Sequence, residues 1–333
     1  MFKLDWNDIS LVPSDITYIN TRSEVDIYKD GMLPIFTAPM DMVINSVNVD
    51  YFYENKINIC LPRGIKTENP NYFQSYGLDE ITEIVKSGSK LHNRVLIDIA
   101  NGGMNKLYEV SKIIKKEYNV ELMVGNIANP ETYRNYCEIG VDWIRCGIGG
   151  GSACTTSANV SIHYPMASLI NECYNISKEF QKPTKIIADG GFKNYSDIIK
   201  ALALGADAVM LGGIFNKCLE SCSDSYIIKG DKYEKISKDE SITYFSYDVN
   251  VYKYYRGMST KEVQKNWNRK TLKTSEGISK YNKVEYTLSG WVDNFEDYLK
   301  SAMSYTNSKS LEDFIGKVKW VVISQNSYNR FNK

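Results

Sequence analysis

The chain has 333 residues, and its 40 basic side chains balance 40 acidic ones, so its formal net charge is zero. A neutral protein lacks the general electrostatic attraction that draws basic proteins to nucleic acid or to anionic membranes. No apolar run approaches the length of a membrane span, and charges interrupt the first ten residues, where a secretory signal would have its apolar core. We therefore expect a cytoplasmic protein with no nucleic-acid or membrane partner.

Cysteine and histidine limit the chemistry further. The seven cysteines form no CxxC pair and are odd in number, which argues against a disulfide framework and against a zinc cluster. The only histidines are His92 and His163, so a histidine-based triad or metal site would have to be built from one or two residues. The chemistry must rely on other groups.

Short runs rich in β-branched and apolar residues recur along the chain. They are "PIFTAPM" from residue 34, "INICL" from 57, "RVLIDIA" from 94, "ELMVGNI" from 121, "DWIRCGI" from 142, "KIIADGG" from 185, "DAVMLGG" from 207 and "YKYYRGM" from 252. Most lack apolar/polar alternation, as in parallel strands buried on both faces, and helical spacing such as "NKLYEVSKIIKKEY" lies between many of them. The pattern predicts an α/β fold in which residues 1–333 form one (β/α)8 barrel domain with insertions.

Two segments interrupt this pattern. Residues 223–251 are charged and β-prone, which predicts an insertion or small hairpin before the eighth strand. Residues 261–289 are polar and rich in lysine, which is typical of a mobile flap or long loop.

Glycine, Asp or Asn follows six of the apolar runs. These strand ends read "DIANGG", "VGNIAN", "GIGGG", "ADGG", "LGG" and "RGM". The carboxyl ends of barrel strands are where active sites are built, so we expect the chemistry on one rim. For any single loop the alternative is a tight turn that merely needs glycine.

Two of these ends suggest a phosphate site. "ADGG" (188–191) and "LGG" (211–213) end the predicted sixth and seventh strands, near the place where such barrels bind phosphate with backbone N–H groups. Asp189 would then accept hydrogen bonds from a ribose diol, and the alternative is that it caps the next helix.

The stretch "GIGGGSACTT" (147–156) puts Cys154 in a glycine-rich loop after a strand. A thiolate is favoured by nearby N–H dipoles, and such a loop supplies both exposure and amides. Glycine-rich loops also carry passive cysteines, so the residue pattern leaves both a nucleophile and an inert thiol open.

Several stretches together resemble one protein family. "TAPMDMV", "GIGGGSACTT", "IIADGGFKNYSDIIKALALGADAVMLGG" and "YRGMST" are similar to the inosine-monophosphate dehydrogenases and guanosine-monophosphate reductases. The resemblance runs in one order from "LDWNDISLVPS" at residue 4 to "SAMSYTNSKSLEDF" near residue 314.

The resemblance implies roles for individual residues. Cys154 would be the nucleophile that attacks C2 of a purine nucleotide, with Thr156 and Glu276 assisting proton transfer. Residues expected to bind the nucleotide are Ser152, Asp189, Gly191, Gly212, Gly213, Met258, Ser259 and Gly277. Asp98, Asn101 and Gly102 would lie near a nicotinamide cofactor, and the carbonyls of Gly149, Gly151 and Cys154 would bind a monovalent cation, K⁺.

Two features place the chain closer to the reductases. The interval between "CLPRG" and "RVLID" is too short for the CBS regulatory module that dehydrogenases usually insert there, so we expect no such module. Family dehydrogenases activate water with an Arg-Tyr pair in a long flap, whereas the connection from Gly257 to Ser275 is short and has no such pair. Family reductases end a short connection with Ser-Glu-Gly, and this chain resembles them in having the same three residues at positions 275–277.

The resemblance therefore implies a GMP reductase, a homotetramer that uses NADPH to convert GMP to IMP and ammonia through a covalent Cys154 thioimidate. The alternatives are an IMP dehydrogenase without the CBS module and a catalytically silent barrel that binds purine nucleotides. A flavin-binding phosphate barrel is a third alternative.

Overall fold

A computed structural model describes residues 2–258, 260 and 277–331. The strands in this part of the chain are β1 (Ile9–Leu11), β2 (Ile35–Thr37), β3 (Cys60–Leu61), β4 (Phe73–Tyr76), β5 (Arg94–Asp98), β6 (Glu121–Ile127), β7 (Trp143–Cys146), β8 (Lys185–Asp189), β9 (Ala208–Leu211), β10 (Ser225–Lys229), β11 (Lys232–Ile236), β12 (Tyr252–Arg256), β13 (Ser279–Lys283) and β14 (Trp320–Val322). The helices are α1 (Val49–Glu54), α2 (Leu78–Ser87), α3 (Asn105–Glu117), α4 (Pro130–Glu138), α5 (Thr156–Val160), α6 (Met166–Ser177), α7 (Tyr195–Ala203), α8 (Gly213–Asn216), α9 (Lys238–Ser246), α10 (Leu288–Tyr305), α11 (Leu311–Phe314) and α12 (Gln325–Phe331).

Eight parallel strands, β2 to β9, form the barrel. Consecutive strands from β3 to β9 pair in parallel, and β9 pairs with β2. The remaining gap between β2 and β3 is bridged at Asn58, whose N–H donates to the Ile35 carbonyl at 2.9 Å and whose carbonyl accepts from Thr37 N–H at 3.0 Å. The predicted (β/α)8 barrel is confirmed.

The barrel interior is apolar and draws on every strand. Its residues are Phe36, Ala38, Cys60, Phe73, Leu96, Met123, Trp143, Ile187, Ala208 and Met210. Phe36 packs edge-on against Trp143, with ring centroids 5.2 Å apart. Because side chains alternate along a strand, residues two positions further on also face inward, and three of these are Asp98, Arg145 and Asp189. The barrel core therefore ends in a charged layer at its carboxyl rim.

Local signals set where several helices begin. Pro130 occupies the first turn of α4, and the Asn129 side chain accepts a hydrogen bond from the Glu131 N–H. Asn194 caps α7 through the N–H of Asp197. These helices pack outside the strands, where most of the buried apolar residues lie. No helix in the described ranges is long and apolar enough to cross a membrane.

One of the eight predicted barrel strands was wrong. "YKYYRGM" forms β12 of an antiparallel sheet with the order β11-β10-β12-β13, and the barrel instead uses β4, "FQSY". Gln74 and Ser75 make this strand look polar, yet both are buried in the barrel wall. The strands that end in "ADGG" and "LGG" are consequently the seventh and eighth of the barrel, not the sixth and seventh.

The two predicted interruptions both contribute strands to this antiparallel sheet. Residues 223–251 contain the hairpin of β10 and β11 followed by α9, and they come after the eighth barrel strand, not before it. Of the predicted loop at 261–289, residues 261–276 lie outside the described residues. Residues 277–289 include β13 and the start of α10, because β13 pairs with β12 along its whole length.

Candidate active site

The loop that carries Cys154 leaves the barrel at the end of β7. Gly147 has φ of +140°, and a Cβ atom there would lie 2.2 Å from the carbonyl oxygen of Asp189, so only glycine fits this close approach. The loop ends at α5, whose first residue is Thr156. The Cys154 thiol is partly exposed and donates to the Thr156 hydroxyl, with 3.3 Å between Sγ and Oγ1.

The antiparallel sheet holds this loop from the other side. The N–H of Ile278 donates to the Ala153 carbonyl at 3.0 Å, and Cys154 forms an antiparallel bridge with Gly277. A Cβ atom on Gly257 would lie 2.6 Å from the Ala153 carbonyl oxygen. Strands β12 and β13 thus bring Gly257 and Gly277 against Ala153 and Cys154, and Met258 follows Gly257 directly in the chain. Ser259 and Glu276 lie outside the described residues.

Three glycine-rich turns converge beside the loop. A Cβ atom on Gly150 would lie 3.4 Å from the Gly191 nitrogen, and one on Gly190 would lie 3.3 Å from the Gly151 nitrogen. At the start of α8, which follows β9, a Cβ atom on Gly213 would lie 2.7 Å from the Ser152 hydroxyl. The structure therefore brings together Ser152, Gly191, Gly212 and Gly213, and the backbone N–H groups of such glycine-rich turns suit a bound phosphate.

Two residues that sequence reasoning missed face the same turns. A Cβ atom on Gly212 would lie 2.9 Å from Met40 Sδ and 3.3 Å from the Tyr255 hydroxyl oxygen. Burial raises the pKa of Tyr255 to about 12, against the opposing effect of its hydrogen bond with Ser152. Tyr255 is therefore a neutral hydroxyl that can donate to an anion. Both residues stand in quoted motifs, "TAPMDMV" and "YRGMST", which was the available signal.

A buried arginine links two predicted site residues. Arg145 donates from Nη1 to Asp98 Oδ1 at 2.6 Å and from Nε and Nη2 to Asp189 Oδ2 at 3.0 and 2.8 Å. Arg63 Nε donates to the other oxygen of Asp98 at 3.1 Å. The signal for Arg145 was a charge inside an otherwise apolar strand, since such a charge is buried only when it is paired.

These contacts determine the charge states in the cluster. Burial by itself raises the pKa of the Asp98 carboxyl, but Arg145 and Arg63 outweigh it and hold the pKa below its ordinary value. Burial lowers the pKa of Arg145, and the two carboxylates more than compensate, so that its pKa is raised. Asp98 and Arg145 are therefore both ionised at neutral pH.

Asn126 connects the cluster to the cysteine loop and was also missed. Its side-chain nitrogen donates to Asp189 Oδ2 at 2.7 Å and to the Gly147 carbonyl at 2.8 Å. The backbone carbonyl of Asn126 accepts a hydrogen bond from the Gly102 N–H at 2.6 Å. Asp189 Oδ2 is thus fully engaged, whereas Oδ1 receives no hydrogen bond from the described chain and can accept one from a ligand.

The predicted cofactor segment follows β5 on the same rim. Both Asp98 oxygens are taken by arginines, Gly102 is packed against Asn126 and Ile127, and Asn101 is exposed. Asn101 Oδ1 accepts from the Gly103 N–H at 3.0 Å. Asn101 is therefore the member of this segment that is free to face a second ligand.

The three carbonyls expected to hold a cation lie in the cysteine loop. The Gly149 carbonyl accepts from Ser157 Oγ at 3.1 Å, and the Gly151 carbonyl accepts from Cys154 N–H at 2.9 Å. The Gly149 and Gly151 oxygens each keep a second lone pair that is available to a cation.

Comparisons with known proteins point to one family. The profile of the IMP dehydrogenase / GMP reductase domain matches residues 77–330. Inosine-5'-monophosphate dehydrogenase of Cryptosporidium parvum is 32% identical over 239 residues, which are 69% of this chain and 54% of the relative. The enzyme of that name from Borreliella burgdorferi is 30% identical and is covered over 59% of its length. The GMP reductase of Staphylococcus saprophyticus is 28% identical over 98% of this chain and 97% of its own. The chain thus spans little more than half the length of these two dehydrogenases.

Proposed function

This chain belongs to the family of IMP dehydrogenases and GMP reductases, and we propose that it catalyses the NADPH-dependent reductive deamination of GMP to IMP and ammonia. The observation that carries the proposal is the position of Cys154 at the carboxyl rim of the barrel. Its thiol is partly exposed and forms a hydrogen bond with the Thr156 hydroxyl. Cysteine is the strongest nucleophile among neutral side chains, and an adjacent group that handles its proton activates it.

The first half of the reaction is carried by side chains of this chain. Cys154 Sγ forms a bond to C2 of GMP, the bond from C2 to the amino nitrogen breaks, and the thiol proton leaves with that nitrogen as ammonia. Because an amide ion is a very poor leaving group, the proton must reach the nitrogen during the step. Thr156 Oγ1, 3.3 Å from Sγ, is placed to relay it. The resemblance assigns Glu276 to the same proton transfer.

In the second half the bond between Sγ and C2 breaks. NADPH, when bound, would supply the hydride that C2 receives, and the released thiolate of Cys154 takes up a proton. GMP, NADPH and one proton thereby become IMP, NADP⁺ and ammonia. Asn101 would contact the nicotinamide end of this cofactor, and Asp98 and Gly102 would keep the segment that carries Asn101 next to the cysteine loop.

The nucleotide is held on the opposite side of the loop. The phosphate is bound by the backbone N–H groups of Ser152, Gly191, Gly212 and Gly213. The hydroxyl groups of Ser152 and Tyr255 are further donors. Asp189 Oδ1 accepts from the ribose, and Met258, Ser259 and Gly277 border the base. A potassium ion on the carbonyls of Gly149, Gly151 and Cys154 would keep the loop in its bent form.

Two observations favour the reductase over its runner-up. The Staphylococcus saprophyticus GMP reductase is matched over 97% of its length, and the connection between Gly257 and Gly277 is short, which supports the reductase. Oxidation of IMP by NAD is the second candidate, because relatives named as IMP dehydrogenases reach higher identity, 32% against 28%.

Absorbance of the reduced nicotinamide tests both. We expect the signal to fall with GMP and NADPH, with release of ammonia, and to stay flat with IMP and NAD. Cys154→Ala should abolish the change, while Cys222→Ala, which alters the other partly exposed thiol, should keep it. A rising signal with IMP and NAD would establish the dehydrogenase, and silence in both mixtures would leave a nucleotide-binding barrel without this chemistry.

A further inference from the structure

Trp6 lies beside one of the glycine turns to which we assign the phosphate. It begins the one-turn 3₁₀ helix Trp6–Asp8, within the motif "LDWNDISLVPS", which has no role in the reaction described above. A Cβ atom on Gly191 would lie 3.3 Å from Trp6 Nε1 and 3.9 Å from the Gly150 carbonyl oxygen. The indole N–H is therefore next to the glycine at which the "ADGG" turn meets the cysteine loop.

The Trp6 side chain is buried with its one polar atom unpaired. Trp6 is 3% exposed, and no residue in the described ranges accepts a hydrogen bond from Nε1. Buried donors in native proteins are nearly always paired, because an N–H group taken out of water without an acceptor destabilises the fold. The buried indole of Trp143 follows this rule, since it donates to Glu121 at 2.7 Å. The Trp6 donor is thus available to an acceptor that a ligand brings.

Contacts on three sides fix the Trp6 ring in this position. The ring stacks on Phe192, in the same turn, with centroids 5.6 Å apart. The Trp6 carbonyl accepts from Lys200 Nζ on α7 at 2.8 Å. Leu4 N–H donates to Ser168 Oγ on α6 at 2.8 Å, and the Ser168 N–H donates back to the Leu4 carbonyl at 3.0 Å. Because the ring is ordered before a ligand arrives, its N–H group can bind at little cost in conformational entropy.

We propose that the Trp6 indole donates a hydrogen bond to the 5′-phosphate of the purine nucleotide. An indole N–H only donates, and the phosphate oxygens are strong acceptors, so the two groups are complementary. The bond is strengthened because its acceptor is ionised. This inference rests on the proposed function in one respect, namely that the nucleotide phosphate lies at the Gly191 turn. Trp6 thereby helps the site to select a nucleotide over the corresponding nucleoside.

Calorimetry with IMP and inosine tests the inference without any turnover. Both are titrated into the full chain carrying Cys154→Ala, which forms no covalent adduct, and into the same chain with Trp6→Phe or Trp143→Phe added. Trp6→Phe keeps a ring against Phe192 and removes the donor, whereas Trp143→Phe removes an indole N–H that already has an acceptor. We expect Trp6→Phe to bind IMP about tenfold more weakly, since a hydrogen bond to a charged group contributes at least that much, and to bind inosine as before. Trp143→Phe should leave the affinity for IMP unchanged.

Two results would overturn the inference. Undiminished binding of IMP in Trp6→Phe would show that the indole gives the phosphate nothing, and equal weakening of IMP and inosine would show that the ring only shapes the turn. Replacement of Trp6 by 3-benzothienylalanine, which has sulfur in place of the N–H group in a ring of similar shape, decides the matter if Trp6→Phe does not fold. It should weaken IMP binding to the same extent and leave the melting temperature unchanged, because the lost N–H has no partner in the described chain.

The choice of ligand separates this inference from the proposed reaction. IMP is the product of the reductase and the substrate of the dehydrogenase, so its binding tests Trp6 whichever reaction the chain catalyses. A loss of IMP affinity in Trp6→Phe, without any oxidation of NADPH by GMP, would retain the inference and reject the reaction. Turnover of GMP, together with equal affinities for IMP and inosine before Trp6 is altered, would retain the reaction and overturn the inference.

Discussion

The two ends of the barrel use charge in opposite ways. At the amino end, Arg94 pairs with Glu121 at 2.7 Å, the Trp143 indole donates to the same carboxylate, and Lys185 lies over the Trp143 ring. At the carboxyl end, Arg145 is shared between two buried carboxylates, and Gly125 packs so closely against it that a Cβ atom there would lie 2.4 Å from Arg145 Cβ. The amino end satisfies its own polar groups, whereas the carboxyl end leaves donors and acceptors for a ligand, which is how one barrel separates stability from chemistry.

The largest contrast should come from removing one arginine at each end. Arg145→Met leaves Asp98 and Asp189 buried without their main partner, and loss of one member of a buried ion pair costs about 3 to 5 kcal/mol. Arg94→Met breaks a pair that is nearly one-third exposed, which is worth at most about 1 kcal/mol. Urea unfolding of the two variants gives both free energies. Equal losses would mean that the two ends do not differ in this way.

Replacing one glycine by alanine at each end should affect substrate binding at the carboxyl end and stability at the amino end. Gly213→Ala puts a methyl group onto the Ser152 hydroxyl and displaces one donor from the proposed phosphate site. A hydrogen bond to a charged group is worth about 1.5 to 3 kcal/mol, so KM for GMP should rise about tenfold or more with little change in melting temperature.

The counterpart is Gly31→Ala in the turn next to the amino end, where φ is +76° and no atom lies within 4 Å of the new methyl group. It should cost about 1 kcal/mol of stability through its left-handed backbone and leave KM unchanged. A change in KM for Gly31→Ala, or none for Gly213→Ala, would contradict the assignment of the phosphate to the carboxyl rim.

Lowering the pH should destabilise the folded protein through Asp98 at the carboxyl end. Its pKa is lower in the folded state than in the unfolded chain, so the unfolded chain takes up the proton first as the pH falls. The resulting stabilisation is complete above the ordinary Asp pKa of about 3.9 and is lost as the pH drops through the lower folded value. The free energy of unfolding, followed from about pH 6 to pH 3, should therefore fall less steeply in Asp98→Asn than in the unaltered protein. Parallel curves would show that Asp98 has no part in the acid response.

The smallest effect should come from Lys185→Met at the amino end. The ammonium group lies 4.5 Å from the centre of the Trp143 ring, and an accessible cation–π contact is worth about 0.5 to 1 kcal/mol. Methionine keeps the length of the side chain, so we expect a loss of this size in thermal unfolding with turnover unchanged. A loss of turnover would show that the amino end also contributes to the reaction.

The sequence by itself determined the barrel and most of the rim. Buried parallel strands need unbroken apolar runs, and tight turns at their ends need glycine, so seven of the eight barrel strands and the loops of Cys154, Asp189 and Gly212 could be read directly. Motif resemblance added roles for residues such as Thr156 and Gly277, whose letters alone carry no such information.

Only the tertiary structure decided which distant residues share the site. β4 was missed because a buried strand can contain Gln74 and Ser75 when neighbouring strands and loops satisfy them, and β12 was misplaced because tyrosine-rich strands suit a barrel and an antiparallel sheet equally well. The partners of Arg145 follow from barrel curvature, which sets Asp98 and Asp189 on either side of it across strand spacings that no local pattern encodes.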